Sequence, residues 1–193
     1  MDTKYNVLDL FSGAGGLTEG FCNSGCYNMV SHVEMNESAA QTLETRMYYY
    51  ALKEKKLDWI YTDYMENFGR KDARQRFITL CKEHGISETG VIAKPISDET
   101  QKDIFNSVTR RLGKDKIDII IGGPPCQAYS SIGRWKQGRD CDYSDERLYL
   151  YKQYMSCLRE FSPKMFVFEN VPGLLTIANG YFFKKTLKMY YNL

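Results

Sequence analysis

Histidine is scarce in this 193-residue chain, which has only His32 and His84, and its six cysteines form no CxxC pair. That scarcity excludes the common zinc-binding patterns. One-sided charge is missing too. Twenty-six Lys and Arg against 24 Asp and Glu leave a formal net charge of +2, so charge alone does not point to nucleic acid. No apolar run is long enough to span a bilayer. Met1-Asp2-Thr3-Lys4-Tyr5 is not an apolar signal segment. Free thiols without a secretory signal fit a reducing, cytoplasmic setting. Internal repeats and low-complexity tracts are absent. An apolar fraction of 43% is ordinary for a globular protein. The length fits one domain, residues 1–193, with enough chain for a sizeable core.

The residues present alternate between strand and helix patterns. Strands are expected over 5–11, 27–34, 90–96, 117–121 and 165–168, and helices over 15–24, 37–56, 98–112, 144–161 and 182–190. Residues 57–89, tyrosine-rich and then charged, read as an inserted helical excursion, and 123–142 as a long loop. Strict βα alternation predicts an α/β fold, a doubly wound, mostly parallel sheet of the Rossmann-like kind, ending after the fifth strand.

The most informative segment is Gly122-Gly123-Pro124-Pro125-Cys126-Gln127, directly after the apolar run Ile117-Asp118-Ile119-Ile120-Ile121. A β-branched run of this kind reads as a buried parallel strand. Two glycines and two prolines end it in a stiff, abrupt turn. At the carboxyl end of such a strand a side chain faces the crevice where open α/β sheets bind ligands. Cys126 is therefore a candidate nucleophile. Nothing in the sequence around Cys22, Cys26, Cys81, Cys141 or Cys157 suggests activation, and these read as structural.

The first strand runs into Asp9-Leu10-Phe11-Ser12-Gly13-Ala14-Gly15-Gly16-Leu17. Glycines at a strand-to-helix turn let the backbone approach a ligand closely. The dinucleotide fingerprint Gly-x-Gly-x-x-Gly fails here, because Thr18 holds the third glycine position. The tight Gly13-x-Gly15-Gly16 form suits a smaller nucleoside ligand without a pyrophosphate. Glu34 ends the second strand about 20 residues on, where an acid can bond ribose hydroxyls.

With these motifs in order, the chain closely resembles the DNA cytosine methyltransferases that modify carbon 5. Asp9 to Gly16 matches their S-adenosylmethionine loop, which assigns Phe11, Ser12, Gly13, Gly15, Gly16 and Leu17 to the cofactor. Gly123-Pro124-Pro125-Cys126-Gln127-Ala128-Tyr129-Ser130 matches their nucleophile motif, and Phe168-Glu169-Asn170-Val171 their base-binding strand end. Glu34 matches the ribose-binding acid. Asp145-Glu146-Arg147-Leu148-Tyr149-Leu150 resembles the segment that opens the helix after the catalytic loop, bringing Leu150 near the cofactor, with Pro124. The family's adenine-contacting Asp-Ile has no clear match. Lys94-Pro95-Ile96 stands in its place, so Ile96 keeps the backbone contact without the carboxylate, and Asp63 is a rival assignment. The family continues past the fifth strand with an arginine motif, a target-recognition region and a closing segment. None of these is in this sequence, so a complementing polypeptide or a missing second half is expected.

The resemblance implies a chemistry. Carbon 5 of cytosine is a poor nucleophile, and addition of the Cys126 thiolate to carbon 6 would activate it. An ordinary thiol, of pKa about 8.5, is mostly protonated at neutral pH. A carboxyl at Glu169 could hydrogen-bond the cytosine ring and stabilise the adduct; Asn170 reads as fixing the local turn. The substrate implied is DNA in a restriction–modification setting, tRNA or an inert remnant being the alternatives. The base must be flipped out of the duplex. Gln127, Ser130 and Arg134, in a loop with Ser131, Lys136 and Arg139, are the candidate nucleic-acid contacts, although the same charges suit a solvated loop.

Overall fold

The computed structural model describes residues 4–125, 149–170, 172–176 and 180–191. Within them lie β1 (Tyr5–Leu10), α1 (Gly16–Ser24), β2 (Tyr27–Val33), α2 (Glu37–Glu54), α3 (Asp58–Glu66), α4 (Ala73–Glu83), β3 (Val91–Ile92) and α5 (Gln101–Leu112). Then follow β4 (Ile119–Gly122), α6 (Leu150–Phe161), β5 (Met165–Phe168), α7 (Gly173–Thr176) and α8 (Tyr181–Tyr190). The strands form one sheet in the order β3-β2-β1-β4-β5, and every pairing is parallel. The order reverses between β1 and β4. That switch point opens a crevice at their carboxyl ends, where doubly wound sheets take ligands.

Burial follows the strand patterns. The central strands are apolar on both faces, as parallel strands covered by helices must be. Leu8, Leu10, Val30 and Ile120 pack on one face against Ile104 and Val108 of α5 and Tyr154, Met155 and Leu158 of α6. Val7, Met29, Ile119 and Ile121 pack on the other against Leu17 and Phe21 of α1. Tyr154 joins these layers to the sheet. Its ring is fully buried, and its hydroxyl lies 3.1 and 3.0 Å from the carbonyl oxygens of Ile120 and Val167, across β4 and β5.

The excursion is two helices, α3 and α4, with a core of their own against α2. Tyr48 and Leu52 meet Ile60, Tyr64, Phe77 and Cys81, and the rings of Tyr64 and Phe77 stack at 4.5 Å. The third strand is shorter than its apolar pattern predicts. Lys94 turns back to donate its N–H to the Ile92 carbonyl, and Pro95 follows, ending the pairing after two residues. The next helix begins at Gln101, not Asp98. Ser97 and Thr100 exchange side-chain-to-backbone hydrogen bonds, which fold the intervening residues into a turn ahead of the helix.

β5 forms the sheet edge opposite β3 among the described residues. Met165 is 53% exposed there. Beside the strand lies a largely apolar groove of about 780 Å³, lined by Phe166, Phe168, Leu174, Leu187 and Tyr190 among others. No helix of the described residues is long and apolar enough to cross a membrane.

Candidate functional site

Three strand ends converge at the switch point. Leu10 of β1 pairs with Gly122 of β4, and Gly122 with Phe168 of β5. The loops after these strands therefore start side by side: Phe11–Gly15 after β1, Gly123–Pro125 after β4, and Glu169–Asn170 after β5. Glu34, at the end of β2, flanks the first loop.

The glycine loop is held from three sides. The Ser12 N–H donates to the Val33 carbonyl (3.1 Å), and its hydroxyl donates to the Asp9 carbonyl (2.9 Å). The Gly13 N–H donates to Glu34 Oε2 (2.8 Å), while Asn36 N–H donates to Glu34 Oε1 (2.7 Å). Glu34 is thus locked in orientation at the rim of the crevice, with lone pairs left on both oxygens. Phe11 has φ of +56°, a left-handed conformation that a bulky residue rarely takes. Such strain persists where the surroundings fix it, here the Ser12 bonds on one side and the core packing of the Phe11 ring on the other. Gly15 combines φ of +90° with Leu43 Cδ1 only 2.6 Å from where a Cβ would sit. Gly16 differs: its φ is ordinary and nothing lies within 4 Å of a Cβ position. It leaves open space at the start of α1, the cradle a ligand needs for close backbone approach.

The second loop has the same logic. Gly122, at φ of +131°, would drive any Cβ into the Leu10 carbonyl, and Gly123 into that of Glu169. The Glu169 N–H donates to the Gly122 carbonyl (3.0 Å), and Asn170 Nδ2 donates to the Pro124 carbonyl (3.2 Å). Asn170 therefore ties the β5 end to the proline turn. The Glu169 side chain is exposed, with Oε2 2.7 Å from the Cβ position of Gly123.

Of the residues singled out from sequence, Phe11, Ser12, Gly13, Gly15, Gly16, Glu34, Pro124 and Glu169 come together at this crevice. Leu150, half-buried, opens α6. The Leu17 side chain packs into the α1 face, and Ile96 is buried in the α5–α6 core, which leaves its backbone for any ligand contact. Asp63 sits on α3, bonded by Arg76 and Asn67 of the excursion. Cys126, Gln127, Ser130 and Arg134 lie outside the described residues. Of the other thiols, burial pushes Cys22 and Cys81 up to about 11 and Cys157 to about 12, leaving these three un-ionised at neutral pH as a structural reading requires, whereas Cys26 is exposed and Cys141 lies outside the described residues.

One feature escapes the sequence patterns. Thr18, the residue that breaks the dinucleotide fingerprint, is fully buried and donates its hydroxyl to Asp9 Oδ2 at 2.6 Å. His32 Nδ1 lies 3.1 Å from the same hydroxyl. Asp9 and His32 are register partners on β1 and β2. A polar network thus pins the first turn of α1 to the sheet under the glycine loop. The available signal was an aspartate and a histidine among the apolar residues of two buried strands.

Known proteins resemble this chain over almost its whole length. The family model of C-5 cytosine-specific DNA methylases matches residues 5–73 and 74–193. The type II methyltransferase M.Bpa9945I of Bacillus paralicheniformis is 35% identical over 191 residues, 90% of this chain and 42% of that protein. The DNA (cytosine-5-)-methyltransferase M.ApeKI of Aeropyrum pernix is 32% identical, over 96% of this chain and 33% of its own length. The chain thus spans well under two thirds of these relatives. In three dimensions it resembles a crystal structure provisionally described as a DNA modification methyltransferase encoded within a prophage (E. coli). The TM-score is 0.57 at 22% identity, covering 98% of this chain and 38% of that one, a likeness of fold.

Proposed function

The chain belongs to the C-5 cytosine-specific DNA methylases, and from that premise we propose that it is the cofactor-binding catalytic portion of an enzyme that methylates carbon 5 of cytosine in DNA. The setting proposed is restriction–modification, since its relatives include type II methyltransferases. The observation that carries this reading is the convergence of the Phe11–Gly16 loop, the Gly122–Pro125 turn and Glu169 on one crevice at the ends of three adjacent strands.

The residues fit S-adenosylmethionine. Gly16 leaves open space at the start of α1, and Glu34 stands fixed at the rim with acceptor capacity for ribose hydroxyls. Phe11, Ser12, Gly13 and Gly15 shape that pocket, with Leu17, Ile96, Pro124 and Leu150 around it. Bound there, the cofactor supplies an electrophilic methyl group. Cys126 follows Pro125 at the end of β4; its thiolate adds to carbon 6 of a flipped cytosine and makes carbon 5 nucleophilic. The Glu169 carboxyl, next to that turn, hydrogen-bonds the cytosine ring and stabilises charge as the adduct forms. Gln127, Ser130 and Arg134 contact the DNA. The rest of a longer protein, or a complementing polypeptide, covers the β5 edge, which has no further strand beside it among the described residues and is flanked by an apolar groove.

The test is transfer of a labelled methyl group to DNA by assemblies containing this chain, with Cys126→Ser beside the native sequence. The serine variant should lose transfer and keep cofactor affinity by calorimetry. Undiminished transfer by the variant would remove Cys126 from its role.

A further inference from the structure

A second, basic cleft lies away from the glycine loop, between the first turn of α6 and one face of α8. It has a volume of about 320 Å³ and is lined by Tyr149, Tyr151, Lys152, Tyr181, Lys185 and Lys188, with Met189. Its lining contains three lysines and no carboxylate. No described carboxylate pairs with Lys152, Lys185 or Lys188, in contrast to Arg46, Arg74, Lys94, Arg111 and Lys164, each of which has an acidic partner. The α8 sequence YFFKKTLKMY itself contains no acid. Tyrosine rings support the ammonium groups instead. Lys152 Nζ lies 4.6 Å from the Tyr149 ring centroid, and Lys185 Nζ 5.5 Å from that of Tyr181. Such contacts hold a lysine in place without neutralising it.

Topology places the cleft. α6 returns the chain from β4 to the start of the parallel strand β5, so its first turn sits on the carboxyl side of the sheet, the side of the crevice. α8 begins on that side too, following β5 through the short α7. The first turns of α6 and α8, with Tyr149, Lys152 and Tyr181, thus lie on the same side of the sheet as the Gly122–Pro125 turn and Glu169, and Lys185 and Lys188 continue the cleft along α8. Lysines with no described acidic partner are the donors that proteins direct at nucleic-acid phosphates.

We propose that this cleft grips the sugar–phosphate backbone of duplex DNA, with Lys152, Lys185 and Lys188 each meeting a phosphate; the proposal rests on the DNA reading given above. Such contacts position the duplex and carry no sequence information. They should therefore serve any DNA equally, whatever region reads the target.

The experiment is fluorescence anisotropy of a labelled duplex with the full chain, from about 50 mM salt upward, where phosphate contacts set both affinity and salt dependence. The triple variant K152Q/K185Q/K188Q is compared with K53Q/K56Q/K82Q, which removes equal charge from exposed positions on and beside α2 and α4. Circular dichroism checks that both are folded. The cleft variant should bind at least about tenfold more weakly at the lowest salt, for duplexes of any sequence. Its slope of log affinity against log salt should be shallower by about one per lysine removed. The control should keep the native slope. An unchanged slope in the cleft variant, or an equal change in the control, would overturn the proposal while leaving the methyltransferase reading intact. An unchanged slope joined to lysine-dependent sedimentation on phosphatidylserine vesicles would assign the cleft to a lipid surface and overturn it likewise. If the native chain binds no duplex even at low salt, the proposal falls. Labelled-methyl transfer by the assembled enzyme then decides the fate of the DNA reading separately.

Discussion

Replacing Thr18 by valine removes one hydroxyl at almost constant volume, and the structure sets what that should cost. The hydroxyl donates to Asp9 at 2.6 Å, and Asp9 is fully buried. The other carboxylate oxygen, Oδ1, has no partner among the described residues, and His32 Nδ1 stands 3.8 Å from Oδ2. Thr18 is thus the principal donor to a buried carboxylate. Leaving a buried acceptor without its donor costs about 1–3 kcal/mol, and full burial puts this loss toward the upper end. For a domain of this size each kcal/mol moves the melting temperature by about 2–4 °C, so a fall of about 5–10 °C is expected. Differential scanning calorimetry of the ligand-free chain measures it. A double-mutant cycle with Asp9→Asn isolates the pair, and should return a coupling of about 1 kcal/mol or more. A melting temperature within about 1 °C of the native value, or additive single effects, would refute the claim that this network pins α1 beneath the glycine loop.

Gly122→Ala should prevent stable folding, because its Cβ would overlap the Leu10 carbonyl, whereas Gly16→Ala should melt like the native chain and lose cofactor affinity; circular dichroism and calorimetric titration separate the two, and a stable, cofactor-tight pair would contradict both. Glu34→Ala should weaken S-adenosylmethionine binding by about 1–3 kcal/mol, and an unchanged dissociation constant would move the ribose contact elsewhere. The Lys164 ammonium 2.7 Å from Asp118, with the Asn6 N–H at 2.9 Å, holds the Asp118 carboxyl below the usual carboxylate range. The folded state therefore favours the carboxylate. Its stabilising contribution is complete above the unfolded pKa of about 3.9 and is lost as pH falls through the depressed folded value. Urea denaturation below about pH 5 should show a shallower acid loss in Asp118→Asn, and an identical acid limb would count against the pairing.

Much of the architecture is legible because long β-branched runs and strand-end glycines state their environment directly. Ile119 to Ile121 could only be a covered strand, and Gly122 and Gly123 stand where any side chain would strike the neighbouring strand's carbonyl. Existence of the α3–α4 excursion was likewise readable, but not its two helices, since they pack on α2 through scattered aromatics such as Tyr64 and Phe77 rather than a regular stripe. The third strand was overestimated because apolar pattern does not report the turn at Lys94. Thr18 is legible in the sequence only as the residue that breaks the dinucleotide fingerprint, not as a member of a buried network. Its partner Asp9 is nine residues away in sequence and its neighbour His32 fourteen, and only the pairing of β1 with β2 brings the three together. The basic cleft was equally hidden, because Lys152 and Lys185 are far apart in the chain.

The central claim, that Cys126 adds covalently to cytosine in the course of methyl transfer, is tested most directly with a duplex containing 5-fluorocytosine at target positions. Fluorine at carbon 5 blocks the final proton loss, so an assembly containing this chain and S-adenosylmethionine should accumulate a stable protein–DNA adduct. Peptide mass mapping should place that adduct on the peptide bearing Cys126. Its appearance on another cysteine, or the absence of any adduct in an assembly that methylates unmodified DNA, would contradict the account.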